Sequence, residues 1–81
     1  MKNINIPHQL NYNFVKCVGN ANYYFKENSF PTLHRLDGPA VENEANKNYF
    51  YINGEYIGSY PDDIDYFINK ANEYIKLCIF A

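Results

Sequence analysis

From Leu10 onward, apolar and polar positions alternate with a period near two. Leu10, Tyr12 and Phe14 lead into Val15-Lys16-Cys17-Val18, and Ala21-Asn22-Tyr23-Tyr24-Phe25-Lys26 reads as a return strand. Such alternation sends successive side chains to opposite faces of an extended chain. Gly19-Asn20 between the two runs is a two-residue hairpin turn, because glycine supplies the positive φ of a primed turn. Residues 27–32 hold Asn28, Ser29 and Pro31 and read as a loop. Leu33-His34-Arg35-Leu36 then runs into Asp37-Gly38-Pro39, a chain reversal: Asp bonds the backbone ahead of it, Gly relaxes φ and Pro fixes it. Ala40-Val41-Glu42 should leave that corner as a strand. After a polar turn at residues 43–47, Asn48-Tyr49-Phe50-Tyr51-Ile52 is the clearest strand in the chain. Asn53-Gly54 is the strongest short hairpin signal there is, and residues 55–58 are its partner.

The period then changes to 3.6. Apolar residues fall at Ile64, Phe67, Ile68, Ala71, Ile75, Cys78 and Ile79, with Tyr74 and Leu77 widening the stripe. Asp65, Asn69, Asn72, Glu73 and Lys76 occupy the opposite face, so an amphipathic helix is expected over residues 60–80. Ser59 or Tyr60 would be its N-cap, with Pro61 in the first turn and Asp62, Asp63 and Asp65 near the positive end of its dipole. The fold class is therefore α+β: an antiparallel sheet of four to five strands, a meander of hairpins over residues 10–58, with one C-terminal helix packed on one face. Residues 1–9 lack a clear period, contain Pro7, and read as an edge strand or a loose arm. The whole of residues 1–81 forms a single small domain.

Composition narrows the function classes. The formal net charge is −2, with seven Lys and Arg scattered along the chain. A generic phosphate-backbone binder needs clustered cations, so nucleic acid is not an expected partner. Two cysteines are too few for a disulfide scaffold. There is no CxxC and no Cys/His cluster, so no metal and no cofactor is implied. The opening Met1-Lys2-Asn3-Ile4-Asn5-Ile6-Pro7 has no apolar run of the signal-peptide type, and no stretch approaches a membrane span. The reading is a reducing, cytoplasmic protein with free Cys17 and Cys78, a bridge between them being the alternative. Nine Tyr and six Phe are the conspicuous surplus; Tyr can bury its ring and keep its hydroxyl wet, which suits binding surfaces.

Asn22-Tyr23-Tyr24-Phe25 resembles Asn48-Tyr49-Phe50-Tyr51, a weak internal repeat of an aromatic strand and a polar turn. Residues 33–55 carry a more specific pattern: His34-Arg35-Leu36-Asp37-Gly38-Pro39-Ala40-Val41, then Tyr51-Ile52-Asn53-Gly54-Glu55. This resembles the HRxDGPA…YxNG β-hairpin repeat, a loosely MORN-like unit of phage-encoded and bacterial proteins. Asn46 stands where that pattern often has glycine, and a second His-Arg motif after the Asn-Gly turn is missing. The chain would hold one good repeat and a degenerate one. The resemblance implies a phage or mobile-element accessory protein and transfers no catalytic or binding residues.

His34, Arg35 and Asp37 are the one local cluster that could carry chemistry: a base oriented by a carboxylate beside an anion-binding guanidinium. The structural reading outweighs it. Asp37 can cap the Gly38-Pro39 turn, and Arg35 can pair with Asp37 or Glu42. Asp62, Asp63 and Asp65 lack the other ligands of a calcium loop. No catalytic residues are assigned, and the chain is read as no enzyme. The aromatic strands are the better surface: Tyr49 and Tyr51 face one way, Phe50 and Ile52 the other, and Tyr23 extends one of those faces. The leading expectation is non-catalytic binding of a host protein through Tyr23, Tyr49 and Tyr51. That is the mode of an inhibitor of a host defence enzyme, an anti-CRISPR-like or other counter-defence role. Sheet edges favour a homodimer. The alternative is a nucleotide-sequestering protein in which Tyr stacks the base while Arg35 and His34 hold phosphate.

Overall fold

The structure is a computed structural model and describes residues 10–26, 31–43, 45 and 47–80. The expected arm or edge strand at residues 1–9 lies outside the described residues. Five strands, β1 (Phe14–Val18), β2 (Ala21–Phe25), β3 (Val41–Asn43), β4 (Asn48–Ile52) and β5 (Glu55–Tyr60), precede one helix, α1 (Ile64–Phe80). The strands lie in chain order in a single antiparallel sheet. This is the α+β meander that the alternation and its change of period predict.

The turns behave as their residues require. Gly19 takes φ +60°, and Asn53 and Gly54 take +51° and +83°. Two consecutive positive φ angles match the twist of a tight hairpin, and an Asn-Gly pair adopts them at the least cost. The β4–β5 register slips once, between Phe50 and Tyr51. The slip places both Ile57 and Gly58 toward α1: Ile57 packs against the core and Gly58 lies under Asp63.

The core forms between the sheet and α1. Phe50 and Ile52 of β4, Phe67, Ala71 and Ile75 of the helix, and Leu36 of the long β2–β3 connection make one cluster. The Phe50 and Phe67 rings stack with centroids 4.0 Å apart. The 3.6-residue stripe thus buries its middle. Its end does not follow expectation: Cys78 is exposed, and Leu77 and Ile79 are 69% and 54% exposed. Leu77 borders a cavity it shares with Ile52, Glu55 and Ile57 of the β4–β5 hairpin instead of packing closely against them.

The helix also begins later than the sequence suggests. Strand β5 continues to Tyr60, the Tyr60-Pro61 peptide bond is cis, and residues 61–63 form the turn into α1. The Asp63 carbonyl accepts the first helical bond, from the Phe67 N–H at 2.9 Å, which makes Asp63 the cap rather than Ser59 or Tyr60. The Asp63 carboxylate reaches back to the strand, where it accepts the Ser59 N–H at 2.9 Å.

Candidate functional site

The segment from Leu33 to Ala40 does not form a strand, apart from a single bridge between Leu33 and Phe25. Its start runs between β2 and β4, where the His34 N–H donates to the Tyr24 carbonyl at 2.9 Å and the Arg35 N–H to the Tyr51 carbonyl at 3.2 Å, and Leu36 then packs into the core cluster. His34 is fully buried there. Its Nε2 lies 2.6 Å from the Leu10 carbonyl, and its Nδ1 accepts the Asn53 N–H at 2.8 Å. A carbonyl only accepts and an amide only donates, so the ring is neutral with its proton on Nε2. Burial, with the nearby Lys26 charge acting in the same sense, holds its pKa below the ordinary histidine value despite the Leu10 carbonyl. The ring also meets Tyr74 of α1, centroids 5.2 Å apart. One side chain thus ties the chain at Leu10, the β4–β5 turn and the helix together.

Arg35 points elsewhere. Its guanidinium lies over the Tyr24 ring at 4.0 Å and near the Tyr12 ring at 5.6 Å. Its Nε bonds Asp37 at 2.7 Å, and one terminal nitrogen meets the Pro39 carbonyl and Glu42, both at 3.2 Å. Arg35 pairs with both expected carboxylates, not with one of them. Tyr24 in turn donates its hydroxyl to Glu42. Burial, reinforced by that hydrogen bond, pushes the Tyr24 phenol up to about 12. Burial alone would lower the Arg35 pKa, but Asp37, Tyr24 and Glu42 raise it overall. Gly38 is buried because the guanidinium crosses it: a Cβ there would lie 3.0 Å from Arg35 Cζ. The DGP corner is shaped to hold this arginine.

These contacts bear directly on the nucleotide reading. His34 has no exposed surface and both ring nitrogens are engaged. Arg35 is enclosed between aromatic rings and two carboxylates. A phosphate at Arg35 would face Asp37 and Glu42. The geometry gives both residues structural work, and the expected anion anchors are not free to act.

The opposite sheet face is different. A row of paired residues crosses it from Lys16 through Tyr23, Val41 and Tyr49 to Ser59. Tyr23, Tyr49 and Tyr51 are half-buried on the face away from α1, as the alternation predicts once Phe50 and Ile52 take the core side. Phe25 lies on this side too, buried and stacked on Phe14 at 5.4 Å. Tyr56, which no motif of the sequence marks, completes the patch. It is 55% exposed, and its ring lies 5.5 Å from Tyr51 and 6.3 Å from Tyr49. The signal for it was present: a two-residue Asn53-Gly54 turn pairs Ile52 with Glu55 and therefore Tyr51 with Tyr56. Val41 separates this cluster from Tyr23.

Among the described residues no group of His, Cys, Asp and Glu could hold a metal ion, and no helix is long and apolar enough to cross a membrane. Cys17 and Cys78 are free and exposed. No protein-family model, curated protein or solved structure matches the chain.

Proposed function

We propose that this chain acts by non-catalytic protein binding through the tyrosine-bearing face of its sheet. The observation that carries this reading is the cluster of Tyr49, Tyr51 and Tyr56, mutually packed and reachable on the face that α1 leaves open. Rigid amphipathic rings held by a sheet lose little entropy on binding, and tyrosine is enriched among residues that dominate interface energies. The HRxDGPA resemblance supplies the setting: a phage or mobile-element accessory protein whose target is a host enzyme, in a counter-defence role. In that setting the conspicuous motif is scaffold, and the tyrosine face is the working surface.

The test is capture of the target from a bacterial lysate, followed by affinity measurement on the purified pair. Tyr49→Ala and Tyr56→Ala should each weaken binding at least about 10-fold, the effect of removing an interface anchor. Tyr66→Ala, at an exposed site on α1, should leave it unchanged. Equal affinity for all three variants would remove this face from the mechanism.

A further inference from the structure

The two edges of the sheet are finished differently. On β5 the outer edge is interrupted by the bulge opposite Phe50 and Tyr51 and then covered. Ser59 has both backbone groups taken by Asp63: its N–H donates to Asp63 Oδ2 and its carbonyl accepts the Asp63 N–H, each at 2.9 Å. Bulges and covering turns are the usual devices that stop a sheet from pairing with another chain.

Among the described residues, strand β1 shows neither device from Val15 to Val18. Its two-residue loop closes on the bonded pair Val18 and Ala21, so alternation makes Lys16 and Tyr23 the next bonded pair. Tyr24 fixes the same phase from the other side. Its N–H donates to the Ala40 carbonyl and its own carbonyl accepts the His34 N–H, both at 2.9 Å and both away from β1. Val15, opposite Tyr24, therefore sends its N–H and C=O outward, and so does Cys17. Val15 and Val18 are 40% and 55% exposed, and Lys16 and Cys17 are exposed as well. Among the described residues no strand pairs with this edge.

We propose that the β1 edge binds a second copy of this chain, strand to antiparallel strand, about a two-fold axis at Lys16. In that register Val15 of each copy exchanges its outward N–H and C=O with Cys17 of the other, and Phe14 faces Val18 across the join. A two-fold axis at Cys17 is poorer, because Val15 then falls opposite Gly19 in the turn. The axis at Lys16 opposes two lysines, which weakens the pairing without abolishing it, since the gained backbone bonds outnumber one repulsive pair. The lysine thus sets a modest affinity on an otherwise uncharged edge. Because the axis runs through the sheet, the dimer carries both tyrosine faces on one side of a continuous ten-strand sheet. The pairing itself does not depend on what those faces bind.

Sedimentation velocity from micromolar to millimolar concentration should show a monomer–dimer equilibrium. Amide exchange at Val15 and Cys17 should slow as concentration rises. Lys16→Thr should tighten the dimer several-fold, and added salt should tighten the wild type. Val15→Pro removes a donor that the monomer does not use, so it should give a monomer with an unchanged far-UV spectrum. A single monomeric species at millimolar concentration would overturn the proposal. So would concentration-dependent protection at Tyr56 instead of Val15, or a Lys16→Thr variant no tighter than wild type. A Cys17–Cys17 cross-link on mild oxidation would overturn the register at Lys16.

Discussion

His34→Leu is expected to lower the unfolding free energy by about 3–5 kcal/mol, seen as a shift of the urea midpoint. The side chain is fully buried and serves two backbone groups at once, the Leu10 carbonyl and the Asn53 N–H. Leucine fills the space but orphans both, and each unsatisfied buried group costs about 1–3 kcal/mol. A chain of 81 residues holds about 4–12 kcal/mol in all, so the variant should sit close to unfolding. The same residue gives an acid dependence. Its folded-state pKa lies below the unfolded value of about 6.5, so below that pH the unfolded chain binds more protons. Stability from this group is therefore full above pH of about 6.5 and falls as the pH drops through that value. Protonation at Nδ1 displaces the Asn53 N–H, which is the physical event behind the loss. His34→Gln keeps one donor and one acceptor but does not titrate. It should cost less than leucine and flatten the urea-midpoint slope between about pH 7.5 and 5.5. An undiminished slope in His34→Gln would assign the acid dependence to another group.

Much of this architecture was legible because local chemistry and tertiary packing agree. The alternation around Phe50 separates Phe50 and Ile52 from Tyr49 and Tyr51, although it leaves open which face meets the helix, and the two Gly-bearing turns fix the registers on either side of them. What escaped the sequence depends on contacts between distant segments. His34 and Arg35 look like chemistry because the sequence shows residue types and not partners. Leu10 and Asn53 are remote from His34 in the chain, as Tyr12 and Tyr24 are from Arg35, yet they turn a candidate site into scaffold. Residues 34 and 35 lie in no named strand, and their side chains part company: His34 meets Leu10, Asn53 and Tyr74, whereas Arg35 meets Tyr12, Tyr24 and Asp37. The exposure of Leu77 and Ile79 was equally hidden, since a hydrophobic stripe shows which way a helix faces but not how closely its neighbours pack against it. The late helix start has the same origin. Pro61 suits a first turn on local grounds, but Ser59 and Tyr60 are held in β5 by pairing with Tyr49 and Asn48. Tertiary pairing overrode the local preference.

Gly58→Ala should destabilise the fold by about 2–4 kcal/mol, although nothing in its sequence neighbourhood marks it as special. Its backbone is not in the left-handed region, so the requirement is one of space. A Cβ at this position would lie 2.6 Å from both Cβ and Oδ2 of Asp63. Asp63 cannot yield freely, because its carboxylate holds the Ser59 N–H and its carbonyl starts α1. An alanine must push away the residue that joins the last strand to the helix, so overpacking is compounded by the loss of the Asp63–Ser59 hydrogen bond. The cost should therefore depend on Asp63. In an Asp63→Gly background, which removes the opposing Cβ and carboxylate, Gly58→Ala should cost well under half as much. The double-mutant cycle would then return a coupling of at least about 1 kcal/mol. Equal penalties in the two backgrounds would show that Gly58 answers to the strand and not to the helix entry. The predicted coupling places the glycine in the device that covers the β5 edge, with loss of that cover as a second consequence. Gly58→Ala should release the Ser59 N–H, and its amide should exchange faster than in the wild type under conditions where both remain folded.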